Sequence, residues 1–94
     1  MGDRMNSNSI VARTEGLLAV DMDGTKVMLN LDTGKYYALD NIGSRIWELI
    51  EQPQPITGLV ETMMAEYAVT QQQCQDDLIV FLQKLQVQGL IVIS

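Results

Sequence analysis

The dipeptide Asp23-Gly24, flanked on both sides by apolar-rich segments, constrains the fold more than any other feature of the chain. Both central positions of a tight two-residue hairpin require positive φ, which Asp tolerates and Gly adopts freely, so a reversal is expected there between two strands. Before it, Leu18, Val20 and Met22 share one face of the segment Leu17 to Met22. After it, Thr25 to Leu31 alternates, with Val27, Leu29 and Leu31 on one face and Lys26, Met28 and Asn30 on the other. Asp32-Thr33-Gly34 is a second turn signal, Gly34 supplying a left-handed position. A third strand, Lys35-Tyr36-Tyr37-Ala38-Leu39, follows. Residues 17–39 therefore predict a three-stranded antiparallel meander, with Ile10 to Ala12 a candidate additional edge segment.

At Asp40 the period changes from that of strands to that of helices. Asp40 or Asn41 can cap a helix carrying Ile42, Ile46 and Leu49 on one face, flanked by Trp47 and Ile50, that should stop before Pro53. A second helix is expected from Thr57, with Leu59, Val60, Met63 and Tyr67 toward the core. Thr70-Gln71-Gln72-Gln73 fits a capping box, since the Thr hydroxyl and the Gln73 side chain can each satisfy the other's backbone N–H. The third helix carries Cys74, Leu78, Phe81, Leu82 and Leu85 at helical spacing, and Gly89 is a natural C-cap with Leu90 folding back onto the helix. The last apolar residues, Leu90 to Ile93, have strand character. This is the layout of an α+β domain whose N-terminal three-stranded antiparallel sheet is covered on one face by three helices. Residues 10–94 form that one domain, and the polar residues 1–9 read as a disordered tail without the apolar stretch of a secretion signal.

Composition narrows the function classes. With 94 residues and 47% hydrophobic content, the chain can build one core but not two. There is no histidine, which removes the commonest general base and metal ligand and every Ser-His or Cys-His nucleophile arrangement. One cysteine makes neither a disulfide nor a thiolate metal site, and suits a reducing cytoplasm. No segment reaches the roughly 18 apolar residues of a membrane span. Six scattered Lys and Arg against twelve Asp and Glu, net −6, give nucleic acid little to hold. A non-enzyme without cofactor or metal, binding neither nucleic acid nor membrane, is the expectation; a basic or apolar peptide suits the charge better.

If Val27, Leu29, Tyr37 and Leu39 face the core, Met28, Tyr36 and Ala38 face outward on neighbouring strands. Scattered outward apolar groups are ordinary and can mean nothing. A sharper possibility is that the third strand ends the meander with a free edge, whose unpaired N–H and C=O groups could accept another chain by strand addition. The third helix is apolar over more of its circumference than a surface helix needs, as a well-buried helix or as one wall of a groove. Cys74 lies on the core stripe near Asp76 and Asp77, whose charges discourage a thiolate, so it reads as inert packing. The Asp76-Asp77 pair itself suits the helix dipole better than metal or acid–base work. A winged-helix DNA-binding regulator has a similar element order, but its recognition helix here, Gln71 to Gln88, holds one cation, Lys84, and two acids.

The run from Leu29 through Leu31-Asp32-Thr33-Gly34-Lys35-Tyr36-Tyr37-Ala38-Leu39-Asp40-Asn41-Ile42-Gly43-Ser44-Arg45-Ile46-Trp47-Glu48-Leu49 closely resembles the PqqD-like proteins. So do Tyr67-Ala68-Val69, Phe81-Leu82-Gln83-Lys84-Leu85 and Gly89-Leu90-Ile91; in order, these pieces cover about residues 10–93. The family comprises leader-peptide recognition elements of ribosomally synthesised, post-translationally modified peptide (RiPP) pathways, with a winged-helix-like fold. The resemblance implies that a precursor's leader adds as a strand beside Lys35 to Leu39, in a cleft against Asp76 to Val87. In a leader-binding reading Met28, Tyr36, Val80 and Phe81 would take its side chains, Tyr37, Ala38 and Leu39 belong to the pairing strand, Asp76 begins the helical wall, and Lys35, Asp77 and Lys84 would set charge complementarity. The Ile46-Trp47 pair and stand-alone size are most similar to the recognition proteins of lasso-peptide biosynthesis, where a leader protease and a cyclase follow. The pyrroloquinoline-quinone branch, serving a radical enzyme as a peptide chaperone, is the alternative.

Overall fold

The computed structural model describes residues 5, 6 and 8–94. The expected meander forms β2 (Leu17–Met22), β3 (Thr25–Asn30) and β4 (Tyr36–Ala38), in the order β2-β3-β4. Asp23 and Gly24 both take positive φ, 55° and 84°, as a tight hairpin demands. Gly34, at φ 75°, closes the second turn, where its N–H donates to the Asn30 carbonyl and the Asn30 N–H to the Lys35 carbonyl.

Three helices follow: α1 (Asn41–Leu49), α2 (Ile56–Glu66) and α3 (Gln71–Val87). Asp40 caps α1 by accepting from the Gly43 N–H at 2.7 Å. Thr70 caps α3 through the Gln73 N–H at 3.2 Å, but the reciprocal half of the expected box is missing, because the Gln73 amide turns forward to Asp77. At the far end Gly89, at φ 76°, lets the Leu90 N–H reach back to the Leu85 carbonyl, and Leu90 is fully buried as expected.

A second sheet departs from expectation. The segment foreseen as an edge of the meander is β1 (Ile10–Arg13), the central strand of a separate sheet. It pairs antiparallel with β5 (Gln54–Pro55) on one side and β6 (Ile91–Ile93) on the other. The C-terminal apolar end thus returns to the N-terminus, a pairing across some 80 positions that no local pattern encodes. Of the segment 1–9, residues 1–4 and 7 lie outside the described residues; Ser9 is buried, its carbonyl accepting from Ile56, and Met5 packs on the core.

The faces of the meander are reversed relative to the alternation in β3. Met28, expected to face outward, is fully buried, whereas Val27 and Leu29 turn away from the helices with Tyr36 and Ala38. The hairpin sets this register: Met22 opposes Thr25, so Met28 opposes Ala19 on one side and Tyr37 on the other. Its two polar companions on the inward face sit near the strand ends with partners at hand. Lys26 is 2.6 Å from Asp21 and 3.7 Å from Glu48, and its N–H donates to the Ser44 hydroxyl of α1. The Asn30 carboxamide oxygen accepts from the Asp32 and Thr33 N–H groups. Met28 alone remains to plug the core at the centre of the strand.

The core joins Met28 and Leu39 to Ile46 and Trp47 of α1 and Ile50 at its C-cap, Leu59, Val60 and Met63 of α2, and Leu78, Leu82 and Leu85 of α3. Ile42 and Tyr67, expected inside, are exposed, and Leu49 is only partly buried. Arg13 of β1 lies 4.7 Å over the Trp47 ring and donates to the Trp47 carbonyl near the end of α1, a favourable place for a cation. Among the described residues no helix is long and apolar enough to cross a membrane.

Arg45 of α1 holds Glu66 at the end of α2 through two guanidinium nitrogens, at 2.7 to 3.1 Å. Those hydrogen bonds keep the Glu66 carboxyl below its ordinary value of 4.5. A lowered carboxyl stabilises the fold above its unfolded pKa and loses that contribution as pH falls through the folded one. Thermal melts of the Glu66→Gln variant should therefore show a shallower loss of stability below about pH 4.5 than the parent chain, converging with it in strong acid.

Candidate functional site

The third strand of the meander has one open edge. The Lys35 carbonyl and the Leu39 N–H are bonded to Asn30 and Lys26 of β3, and Tyr37 lies opposite Met28. In an antiparallel ladder the residues between such pairs direct their main-chain groups the other way. Tyr36 and Ala38 therefore present N–H and C=O groups to the outside of the sheet, and both residues are exposed.

Beside this edge stands α3. The Tyr37 hydroxyl donates to Gln88 Oε1 at 2.8 Å, which ties β4 to the end of that helix. Asp77, Phe81, Lys84 and Gln88 recur at four-, three- and four-residue steps and so share one stripe of α3. Next to the start of α1, between the three helices, is an apolar cavity of about 280 Å³. Ile42 and Ile46 of α1, Met63 of α2, and Leu78 and Phe81 of α3 line it, bordered by the exposed carboxylates of Asp40 and Asp77. Gly43 permits this geometry: a Cβ there would meet the Phe81 ring at 3.0 Å.

Lys35, Tyr36 and Ala38 lie along the edge strand, Tyr36 and Ala38 with main-chain groups at the edge but side chains on the face away from the helices, while Asp77, Phe81 and Lys84 share the α3 stripe. Tyr37 is half-buried and Leu39 buried, so both serve as floor. Val80 is 51% exposed at the flank of the stripe. Asp76 is turned about 100° round the helix from Asp77 and takes a hydrogen bond from Gln72. Met28 lies beneath the sheet, away from any ligand surface. Sequence reasoning missed Gln88, Gly43 and the cavity. The clue to Gly43 was present: a glycine inside a helix costs about 1 kcal/mol relative to alanine, which points to a close approach.

Cys74 also lines the cavity, with its thiol toward the Val60 carbonyl at 3.9 Å. Burial, aided by the Asp77 charge, pushes the thiol above its ordinary value, opposite to what a nucleophile needs. No group of three or more metal-ligating acids, cysteines or histidines occurs among the described residues.

An open-edged sheet thus stands beside a helical wall and an apolar cavity. The chain belongs to the PqqD family: the family described as coenzyme PQQ synthesis protein D matches residues 25–91. This agrees with the resemblance read from the sequence. The chain is also similar to TbiB1, whose structure was solved in complex with the TbiA(beta) leader peptide. The two share 34% identity and a TM-score of 0.81, over 85% of this chain and 93% of that one. No curated protein matches the chain.

Proposed function

We propose that this protein is a non-catalytic RiPP recognition element: it binds the leader segment of a ribosomal precursor peptide and presents it to maturation enzymes. The observation that carries the reading is the pair of unpaired main-chain positions, Tyr36 and Ala38, on an edge strand beside an apolar cavity. The leader pairs along β4 and lies against the Asp77, Phe81 and Lys84 stripe, where main-chain hydrogen bonds supply affinity and the cavity selects an apolar leader side chain. Lys35, Asp77 and Lys84 tune specificity and association rate more than affinity. The likeness to TbiB1, solved with a leader peptide, supports leader binding; the Ile46-Trp47 pair favours a lasso-peptide pathway in the cytoplasm, with a leader protease and then a cyclase receiving the peptide.

Titration calorimetry with the leader peptide encoded beside this gene tests the reading. Saturable binding at or below tens of micromolar is expected; folded protein with no heat of binding at that concentration refutes it. The family's description in coenzyme PQQ synthesis supports a second branch, a peptide chaperone for a radical enzyme. Titrating a pyrroloquinoline-quinone precursor peptide in parallel separates the two, since only the cognate leader should bind tightly.

A further inference from the structure

The side of the meander that faces away from the helices is apolar and carries no charge. Leu18, Val20, Met22, Val27, Leu29 and Tyr36 lie on it, while the charged residues of these strands, Asp21 and Lys26, pair with each other on the opposite side. Leu18 is 52% exposed, Val20 46%, Met22 59% and Tyr36 73%. Neither Val27 nor Leu29 packs against the core. A face so composed is unusual on a chain of net charge −6, and it holds on the order of 500–700 Å² of accessible surface, more than scattered apolar residues present.

We infer that this outer sheet face is the interface of a homodimer, two copies packed back to back. Three features select a second copy as the occupant. The exposed area approaches the roughly 800 Å² per partner of a standard interface, so one copy of the same patch suffices to cover it. Two twisted sheets with apolar faces pack aligned, about 10 Å apart, with interdigitating side chains, so the face is complementary to itself. The acidic groups Glu48, Glu61, Glu66, Asp76 and Asp77 lie on the helices. Back-to-back packing carries those layers to opposite outer surfaces, separated by more than the ~8 Å over which charge is felt at physiological salt. The edge of β4 and the cleft beside α3 open sideways and inward, so the dimer leaves one peptide site free on each copy. The inference stands independently of what that site binds.

Sedimentation equilibrium on the full chain from about 1 to 500 µM tests it. The mass should rise from the monomer's 10.5 kDa toward twice that value. Val20→Glu and Met22→Lys, both at exposed positions, should each raise the dimer dissociation constant at least about tenfold without changing the far-UV spectrum or the melting temperature measured when dilute. A monomer at every concentration overturns the inference and leaves the face to a different protein. A dimer indifferent to both substitutions also overturns it, and if leader peptide dissociates that dimer, the copies are pairing through β4 instead.

Discussion

Ala38→Pro should weaken leader binding by roughly 100-fold, about 2.7 kcal/mol, while leaving the protein folded. The Ala38 N–H points away from β3, so proline removes no bond of the native sheet. Proline is tolerated at such edge positions, and the preceding Tyr37 is already in a strand, where the ring does not clash with it. What proline removes is a donor that the added strand needs, worth about 1 kcal/mol, and its ring also occupies the path of that strand. Calorimetry should show the loss, with a circular-dichroism melt within a few degrees of the parent. Ala38→Ser keeps the N–H and should bind within a few-fold. Equal affinities for the proline and serine variants would mean that the leader does not pair along β4.

The second large effect concerns the fold. Met28→Ala should cost about 3 kcal/mol, within the 2–5 kcal/mol range for truncating a buried methionine. For a domain of this size that lowers the melting temperature by roughly 4–8 °C for each kcal/mol. Leu18→Ala, half-exposed on the other side of the same sheet, should stay within about 0.5 kcal/mol when measured on dilute protein. The contrast tests the register directly. Alternation in β3 by itself predicts the reverse, with Val27 and Leu29 costly and Met28 free. Denaturant melts of Met28→Ala and Val27→Ala side by side would decide between the two arrangements.

Much of the site was legible because its parts are local. Asp23-Gly24 and Gly34 mark turns whose backbone angles few other residues adopt. Asp40 and Thr70 mark helix starts, and Gly89 marks a helix end, each through a hydrogen bond within a few residues. An edge for β4 follows from its place at the end of the meander. The cavity was illegible, because Ile42, Met63 and Phe81 meet from three helices, and Ile42 reads along its own helix as ordinary core. The pairing of β1 with β6 was equally hidden, since its register depends on how the helices between them return the chain.

The amino-acid order alone determined where this protein turns, where its helices begin and end, and that it offers no histidine and a single cysteine. Those properties belong to residue types and to neighbours a few positions apart. Tertiary structure alone decided which side of the meander is inside. An alternating strand has two faces, and the helical layer chose the one whose polar members, Lys26 and Asn30, could be satisfied near the strand ends, leaving Met28 for the core and an uncharged apolar face outside.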